Sequence, residues 1–437
     1  MDSTEQKIIQ RVEEHRDEIV AFARDIFHHA ELGFKEYRTA GKFRELLEGR
    51  VDRVEDGLAL TGVKGYLNEN KKDHFSLALL GEMDALKIPS YRDANPETGG
   101  AHCCGHHAQL AGVAGALLAL SDPEIAQKLD GQVVFFAVPA EEYGEAEFKN
   151  ELIRQGKITY GGGKCELIRI GAFDGVDAAI AHHIGVEGLS VGSGSNNGFV
   201  AKVITLKGKS AHAAAAPEKG VNALSAASLG LQALGLNRET FRDEDSVRVH
   251  PIITKGGDLV NVVPEEVVLE TLVRGRTKEA FSDAAAKTDR SFKAGAYALG
   301  AGYEIVTAPG YLPTLPQDFP PELVEAVTEA AGRPPHIISP AMHSAGSTDV
   351  GDVQHLLPVL TFRTGGASGG LHQTSFRIDD EDEAYVLTAK IFAVLAYRLL
   401  KDGAALGRQL KDSYRPVFRS KEEYIEFLDG FRSVERG

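Results

Sequence analysis

The sequence predicts an α/β protein: a mixed-sheet α/β domain assembled from residues 1–192 and 310–437, with a smaller split-βαβ unit, residues 193–309, inserted between them. Three observations lead there. Several short apolar runs in the first stretch end abruptly in polar residues, as buried strands do when they deliver side chains at their carboxyl ends. From about residue 193 the elements follow the order strand, helix, strand, strand, helix, strand. From about residue 310 the mixed α/β character returns. Length agrees, since 437 residues exceed the ~250–300 at which a single core stops growing.

Taken in order, residues 5–26 carry helical apolar spacing, "HHAELGF" reads as a loop, and "YRTAGKFRELLEG" resumes a helix. "FSLALLGEMDAL" is a buried strand ending in acidic residues, and "AQLAGVAGALLAL", without breakers, is a buried helix. "GQVVFFAVPAEE" is a strand stopped by Pro139, and "VDAAIAHH" is another strand, ending in histidines. The inserted unit follows: "NGFVAKVITLKGK" as a strand, "GVNALSAASLGLQALGL" as a helix, then "SVRVHPIITKGG" and "EEVVLETLVRGR" as strands. "TKEAFSDAAAKTDRSFKAGAYALG" is its second helix and "GYEIVTA" its last strand, the ferredoxin-like order. Beyond it, "LPVLTF" is a strand and "DEDEAYVLTAKIFAVLAYRLL" a long amphipathic helix. The tail from residue 402 is expected to form a final helix.

Bulk properties narrow the function. A net charge of −15 argues against nucleic acid, which needs a basic face. No apolar run approaches the ~20 residues needed to span a bilayer. The start, "MDSTEQKIIQRVEEHRDE", lacks the apolar core of a signal peptide, so a cytoplasmic location is the default expectation. Cys103, Cys104 and Cys165 are too few, and odd in number, for a disulfide framework. A thiol redox role for Cys103 and Cys104 lacks the C-x-x-C spacing.

The stretch "HCCGHH", residues 102–107, carries the densest chemistry. Cys104 and His106, one glycine apart, can supply a thiolate and an imidazole to one cation, although a lone C-x-H is a poor signal. Glu141 and Glu142 of "PAEE" would read alone as a solvated loop face. They follow a strongly apolar strand, however, and in open α/β sheets sites form beyond the carboxyl ends of strands. A hydrolytic metal site needs one carboxylate as ligand and another, uncoordinated, to take a proton from water. Adjacent glutamates offer both.

The motifs "HHAELGF", "GEMDAL", "AHCCGHHAQ", "VPAEE", "GKSAHAAAAPEKGVNAL" and "NVVPEE" resemble, in order and spacing, those of the M20 metallopeptidase family. The likeness is to its amidohydrolase branch, which includes aminoacylase-like, auxin-conjugate and aminobenzoyl-glutamate hydrolases. "GSTDVGDV" and "LHQTSF" are similar to the last type in particular. The resemblance implies a zinc-peptidase-like catalytic domain, a dimerising inserted domain and a homodimer with composite sites. It implies two divalent ions per subunit, Zn or Mn, held by Cys104 as the bridge with His106, Glu142, His183 and His372. Glu141 matches the general base, and Asp84 the aspartate that orients a ligand imidazole. His212 matches a histidine that reaches the partner subunit's site to stabilise an oxyanion. Asn261 and Arg274 match positions contacting the amide and carboxylate of a small-molecule substrate. The implied reaction is hydrolysis of an N-acyl amino acid or related amide. A dipeptidase, a deacetylase and a non-catalytic binding relative are the alternatives. The sequence departs from the family pattern at Cys103, at His107 and at "AHHIG", where His182 competes with His183 because only one strand neighbour can face the site.

Overall fold

In the computed structural model, which describes residues 1–437, the first and last stretches of the chain share one eight-stranded mixed sheet. Its strand order is Arg53–Leu58, Gly62–Leu67, Gln132–Val138, Ser76–Glu82, Ala178–Ile184, Val359–Thr364, Ser190–Val191 and His336–Ile337. The four strands from Gln132–Val138 to Val359–Thr364 run parallel. Their near-continuous apolar runs follow from burial on both faces.

One face is covered by the His106–Leu120 helix, every residue of which is buried. It packs on Ser76–Glu82 and beneath the helices Ser3–Glu14, Arg16–His28 and Leu387–Ser413. Leu110, Leu117, Phe135 and Phe392 belong to this core, where each large apolar side chain contributes about 1.5–3 kcal/mol. The opposite face carries the helices Gly163–Arg169, Val350–Gln354 and Lys421–Asp429. Tyr424 is fully buried there, and its hydroxyl donates to Asp352 Oδ1 at 2.9 Å.

The second sheet comes from the inserted stretch. Gly198–Lys207 pairs antiparallel with Glu266–Gly275 over their whole lengths and with Gly302–Pro309 on its other side. The strict alternation of buried and part-exposed residues along Glu266–Gly275 marks a sheet covered on one face. Ala223–Leu236 and Lys278–Leu299 cover it through Leu234, Phe292 and Ala296. No helix of the chain is long and apolar enough to cross a membrane.

Three elements differ from expectation. The helix over 5–26 is two helices, Ser3–Glu14 and Arg16–His28, because His15 leaves helical geometry at φ −96°, ψ 8°. "SVRVHPIITKGG" splits into Arg248–Val249 and Ile252–Lys255 around Pro251, which has no N–H to donate. The tail forms the expected helix, Lys421–Asp429, and then a strand, Ser433–Arg436, that pairs with Gly302–Pro309. The chain end thus returns to the inserted sheet.

Candidate metal centre

The chemistry gathers at the carboxyl edge of the four parallel strands. Ser76–Glu82 ends at Glu82 with Asp84 two residues on, Gln132–Val138 leads through Pro139 and Ala140 to Glu141 and Glu142, and Ala178–Ile184 carries His182 and His183. Cys104 and His106 enter at the head of the buried helix. Gly105 between them sits at φ +87°, where a Cβ would meet Ile184 Cγ2 at 2.2 Å, so only glycine permits this turn. Ala140 at φ 49° and His372 at φ 61° hold left-handed backbone at a cost of roughly 1–2 kcal/mol each. The loop bearing His372 is fastened where it matters: its N–H donates to the Cys103 carbonyl at 2.9 Å.

Cys104 lies at the middle of the cluster. Its Sγ is 3.4 Å from His183 Nε2 and 3.1 Å from His372 Nε2, and Glu142 Oε1 is 3.1 Å from the same His372 nitrogen. Two groups of donors share the thiol: Cys104, His106 and His183, and Cys104, Glu142 and His372, each within 4.8 Å. A third group, Glu82, His106 and Glu141, overlaps the first at His106.

The imidazoles are oriented for coordination. His106 Nδ1 is 2.9 Å from the Asp84 carbonyl and 3.1 Å from Asp84 Oδ1, and His183 Nδ1 is 2.7 Å from the Ile184 carbonyl. These contacts place protons on both Nδ1 atoms and turn both Nε2 atoms inward. Burial opposes a charge on His106, but Cys104, Glu82 and Asp84 outweigh it and hold the ring well above the usual imidazole range, so a cation there displaces its Nε2 proton. His106 Nε2, 3.2 Å from Glu82 Oε2, and Glu142 Oε1, 3.1 Å from His372 Nε2, are buried in close polar contacts that lack well-directed hydrogen-bond geometry. A cation between them would engage both atoms directly. The mixed sulfur, nitrogen and oxygen set suits a borderline divalent ion.

Electrostatics agree. Burial, with the charge of Glu142, pushes the Cys104 thiol well up, so a thiolate there needs a cation beside it. Burial first, then Glu82 and Glu142, raise Glu141 well above the usual carboxylate range. Burial would also raise Asp84, but the hydrogen bond and charge of His106 outweigh it and hold Asp84 at about 2. Burial and the charge of His106 lower His183 to about 4, which keeps it neutral.

Other sequence-predicted residues lie apart. His182 faces away from the cluster and its Nε2 is 2.8 Å from Thr364 Oγ1, so strand alternation turns His183, not His182, toward Cys104. Cys103 is a buried neighbour, and His107 Nε2 contacts Tyr385 Oη at 3.1 Å. Arg274, on the inserted sheet, is half-buried, 5.7 Å from the centroid of Phe199, and makes no ion pair, although Glu142 and Glu141 act on its charge. His212 and Asn261 sit on neighbouring exposed loops, where Ala213 N–H donates to the Asn261 carbonyl at 3.0 Å. Neither touches the cluster within this subunit. The sequence reading missed Glu82, Lys164 and Asp349, which form a buried ion-pair chain against His106. A lysine directly after "GGG" was its one local trace.

Residues 78–398 match peptidase family M20/M25/M40. The chain is 28% identical over 363 residues to the Xaa-Arg dipeptidase of Mus musculus, spanning 80% of this chain and 77% of that protein. It is 25% identical over 412 residues to the N-acetyl-L-cysteine deacetylase of Bacillus subtilis, 88% of each. Among solved structures, the Bacillus subtilis YXEP protein, a dinuclear metal binding peptidase from the M20 family, is similar with TM-score 0.61 at 24% identity. That likeness, one of fold, covers 89% of this chain and 99% of the other.

Proposed function

The chain belongs to peptidase family M20/M25/M40 and is a hydrolase acting on amides, and from that premise we propose that it cleaves the amide joining an acyl group to an amino acid. The observation that carries this reading is the pair of donor groups sharing Cys104, with the uncoordinated Glu141 beside them. Cys104, His106 and His183 would hold one divalent ion, Zn or Mn, and Cys104, Glu142 and His372 the other. Such ions supply Lewis acidity and make water acidic enough to deprotonate near neutral pH. Glu141 takes the proton from the attacking water and returns it to the leaving nitrogen, a role suited to a carboxylate whose basicity is raised. Asp84 fixes the His106 ring and, through Oδ2, accepts from the Glu142 backbone N–H at 2.8 Å.

Substrate contacts come from the inserted domain. Arg274 offers an unpaired planar guanidinium, suited to bidentate binding of a substrate carboxylate. His212 Nδ1 accepts from the Ala214 and Ala215 N–H groups at 3.2 and 3.1 Å, so Nε2 carries the proton and points outward as a donor. Exposed and idle in its own subunit, it fits the role of oxyanion donor as His212 of the partner subunit, with Asn261 on the adjoining loop meeting the amide. A homodimer through the inserted domain is favoured by its edges. Ser433–Arg436 covers one, whereas Ile252–Lys255 leaves the other open, with Ile252 and Ile253 exposed.

The unpaired Arg274 suits any substrate ending in a free carboxylate, so a dipeptide and an N-acyl amino acid are both accommodated. A panel of the two classes, assayed beside elemental analysis, separates them. Homodimers of Glu141→Gln and of His212→Ala should each be inactive, and subunit exchange between them should restore activity. No recovery despite verified exchange would refute the composite site, and turnover by Glu141→Gln would refute the assigned base.

A further inference from the structure

Lys164 is fully buried, yet its ammonium group has no role in the reaction outlined above. Its Nζ lies 2.6 Å from Glu82 Oε1 and 2.6 Å from Asp349 Oδ1, while its backbone N–H donates to Asp349 Oδ2 at 2.8 Å. One aspartate therefore grips the lysine at both ends. The approach is enforced by Gly163, where a Cβ would fall 1.6 Å from the Pro139 carbonyl oxygen. Only glycine lets the start of the Gly163–Arg169 helix press against the turn that presents Glu141. Burial opposes the lysine's charge, but Asp349 and Glu82 outweigh it and keep the ammonium protonated.

The neighbouring carboxylate is a latent ligand. Glu82 Oε2 is 3.2 Å from His106 Nε2 and accepts from Gln109 Nε2 at 2.7 Å. Glu82, His106 and Glu141 form a donor group as compact as the two that share Cys104. His106 has one inward nitrogen and can serve one ion, so this third pocket competes directly with the thiol-centred one. A pocket with two carboxylates and an imidazole would attract a hard divalent cation strongly. Of the three groups, it alone has a charged amine in an ion pair with one of its donor carboxylates.

We propose that Lys164 is the built-in cation of this third pocket, keeping Glu82 off the metal and committing His106 to the Cys104 side. The inference rests on the two-ion reading of the site. Lys164 is a positioning residue: it acts on the metal through Glu82, and its neutralising charge also leaves Glu141 free of a competing ion.

Cobalt(II) titration of the metal-depleted, full-length protein tests this, because thiolate-to-cobalt charge transfer reports Cys104 coordination directly and does not depend on turnover. Wild type should develop that band from the first equivalent. In Lys164→Met, cobalt divides between two positions, and the band at one equivalent should be roughly halved, as for two comparably populated states. Lys164→Met combined with Glu82→Gln should restore it, since the third pocket then loses its anionic ligand. A Lys164→Met titration identical to wild type overturns the proposal, as does failure of the double variant to recover. Should Lys164→Met not fold, Glu82→Gln alone carries the test. An unchanged band supports the proposal, and an altered one means Glu82 is already a ligand and overturns it. Absence of the band in wild type would instead sink the Cys104-centred reading itself, a distinguishable result.

Discussion

Asp84 is the residue at which a one-atom substitution should speak most clearly about the centre. Its Oδ1 lies 3.1 Å from His106 Nδ1 and its Oδ2 2.8 Å from the Glu142 backbone nitrogen, so one carboxylate accepts from N–H groups of two candidate ligands. In Asp84→Asn only one oxygen remains, and the amide NH2 must face one of those donors. The Glu142 N–H has no other acceptor, whereas His106 Nδ1 also reaches the Asp84 carbonyl at 2.9 Å. The amide oxygen therefore stays with Glu142, and the NH2 group opposes His106. A hydrogen bond to a charged group contributes ~1.5–3 kcal/mol, of which the surviving carbonyl contact retains part. The expected loss of metal affinity is about 10–30-fold, within the range known for groups that orient ligands. Asp84→Ala should weaken binding further, because the Glu142 N–H is then orphaned as well. Competition against a chromophoric chelator with Zn2+ or Mn2+ measures this. Affinities for Asp84→Asn within roughly twofold of wild type (~0.4 kcal/mol), or a variant tighter than wild type, would refute the reasoning.

Cys104→Ser should weaken both ions together, since both donor groups include its sulfur, whereas Cys103→Ser should leave stoichiometry unchanged; equilibrium dialysis distinguishes the two. Lys64, buried against Phe136, is lowered to about 8 by burial, from 10.5. A lowered lysine destabilises the fold fully below the folded value, and the cost fades as pH rises from about 8 to 10.5. Lys64→Met should therefore stabilise by about 1–2 kcal/mol at pH 7, after the lost bond to the Ala172 carbonyl, with the gain shrinking by pH 10 in thermal melts. Removing residues 433–437 strips the strand that covers Gly302–Pro309; a lower melting temperature and self-association in light scattering are expected.

Glu141, Glu142 and the histidine pair that includes His183 were legible because each stands at or just beyond the end of an apolar run, where elementary sheet geometry places it at one edge. His372 follows no such run and was read only from the family resemblance. "CGH", "PAEE" and the histidines after "DAAIA" are weak signals singly, and it is their convergence at the strand ends that marks the site. The choice between His182 and His183 was not legible, since alternation states that they face opposite ways without stating which way. Ser433–Arg436 was missed because four residues, mostly polar, carry no strand signal until Gly302–Pro309 lies beside them. Lys164 was missed for a similar reason: its partners Glu82 and Asp349 lie 82 and 185 residues away.

Those long-range counterions are what give the centre its charge. Glu36, Glu82, Asp84, Glu141, Glu142 and Asp349, with the Cys104 thiol, gather seven acidic groups in a space nearly closed to water. Two buried ammonium groups answer them, Lys164 and Lys149, the second held at 2.7 Å on the Glu142 carbonyl. Uncompensated charge in such surroundings is too costly to persist, and without further cations the thiol and Glu141 must keep their protons, the direction in which both are displaced. Arg274 stands outside this cluster without an ion pair, although Glu142 and Glu141 act on its charge.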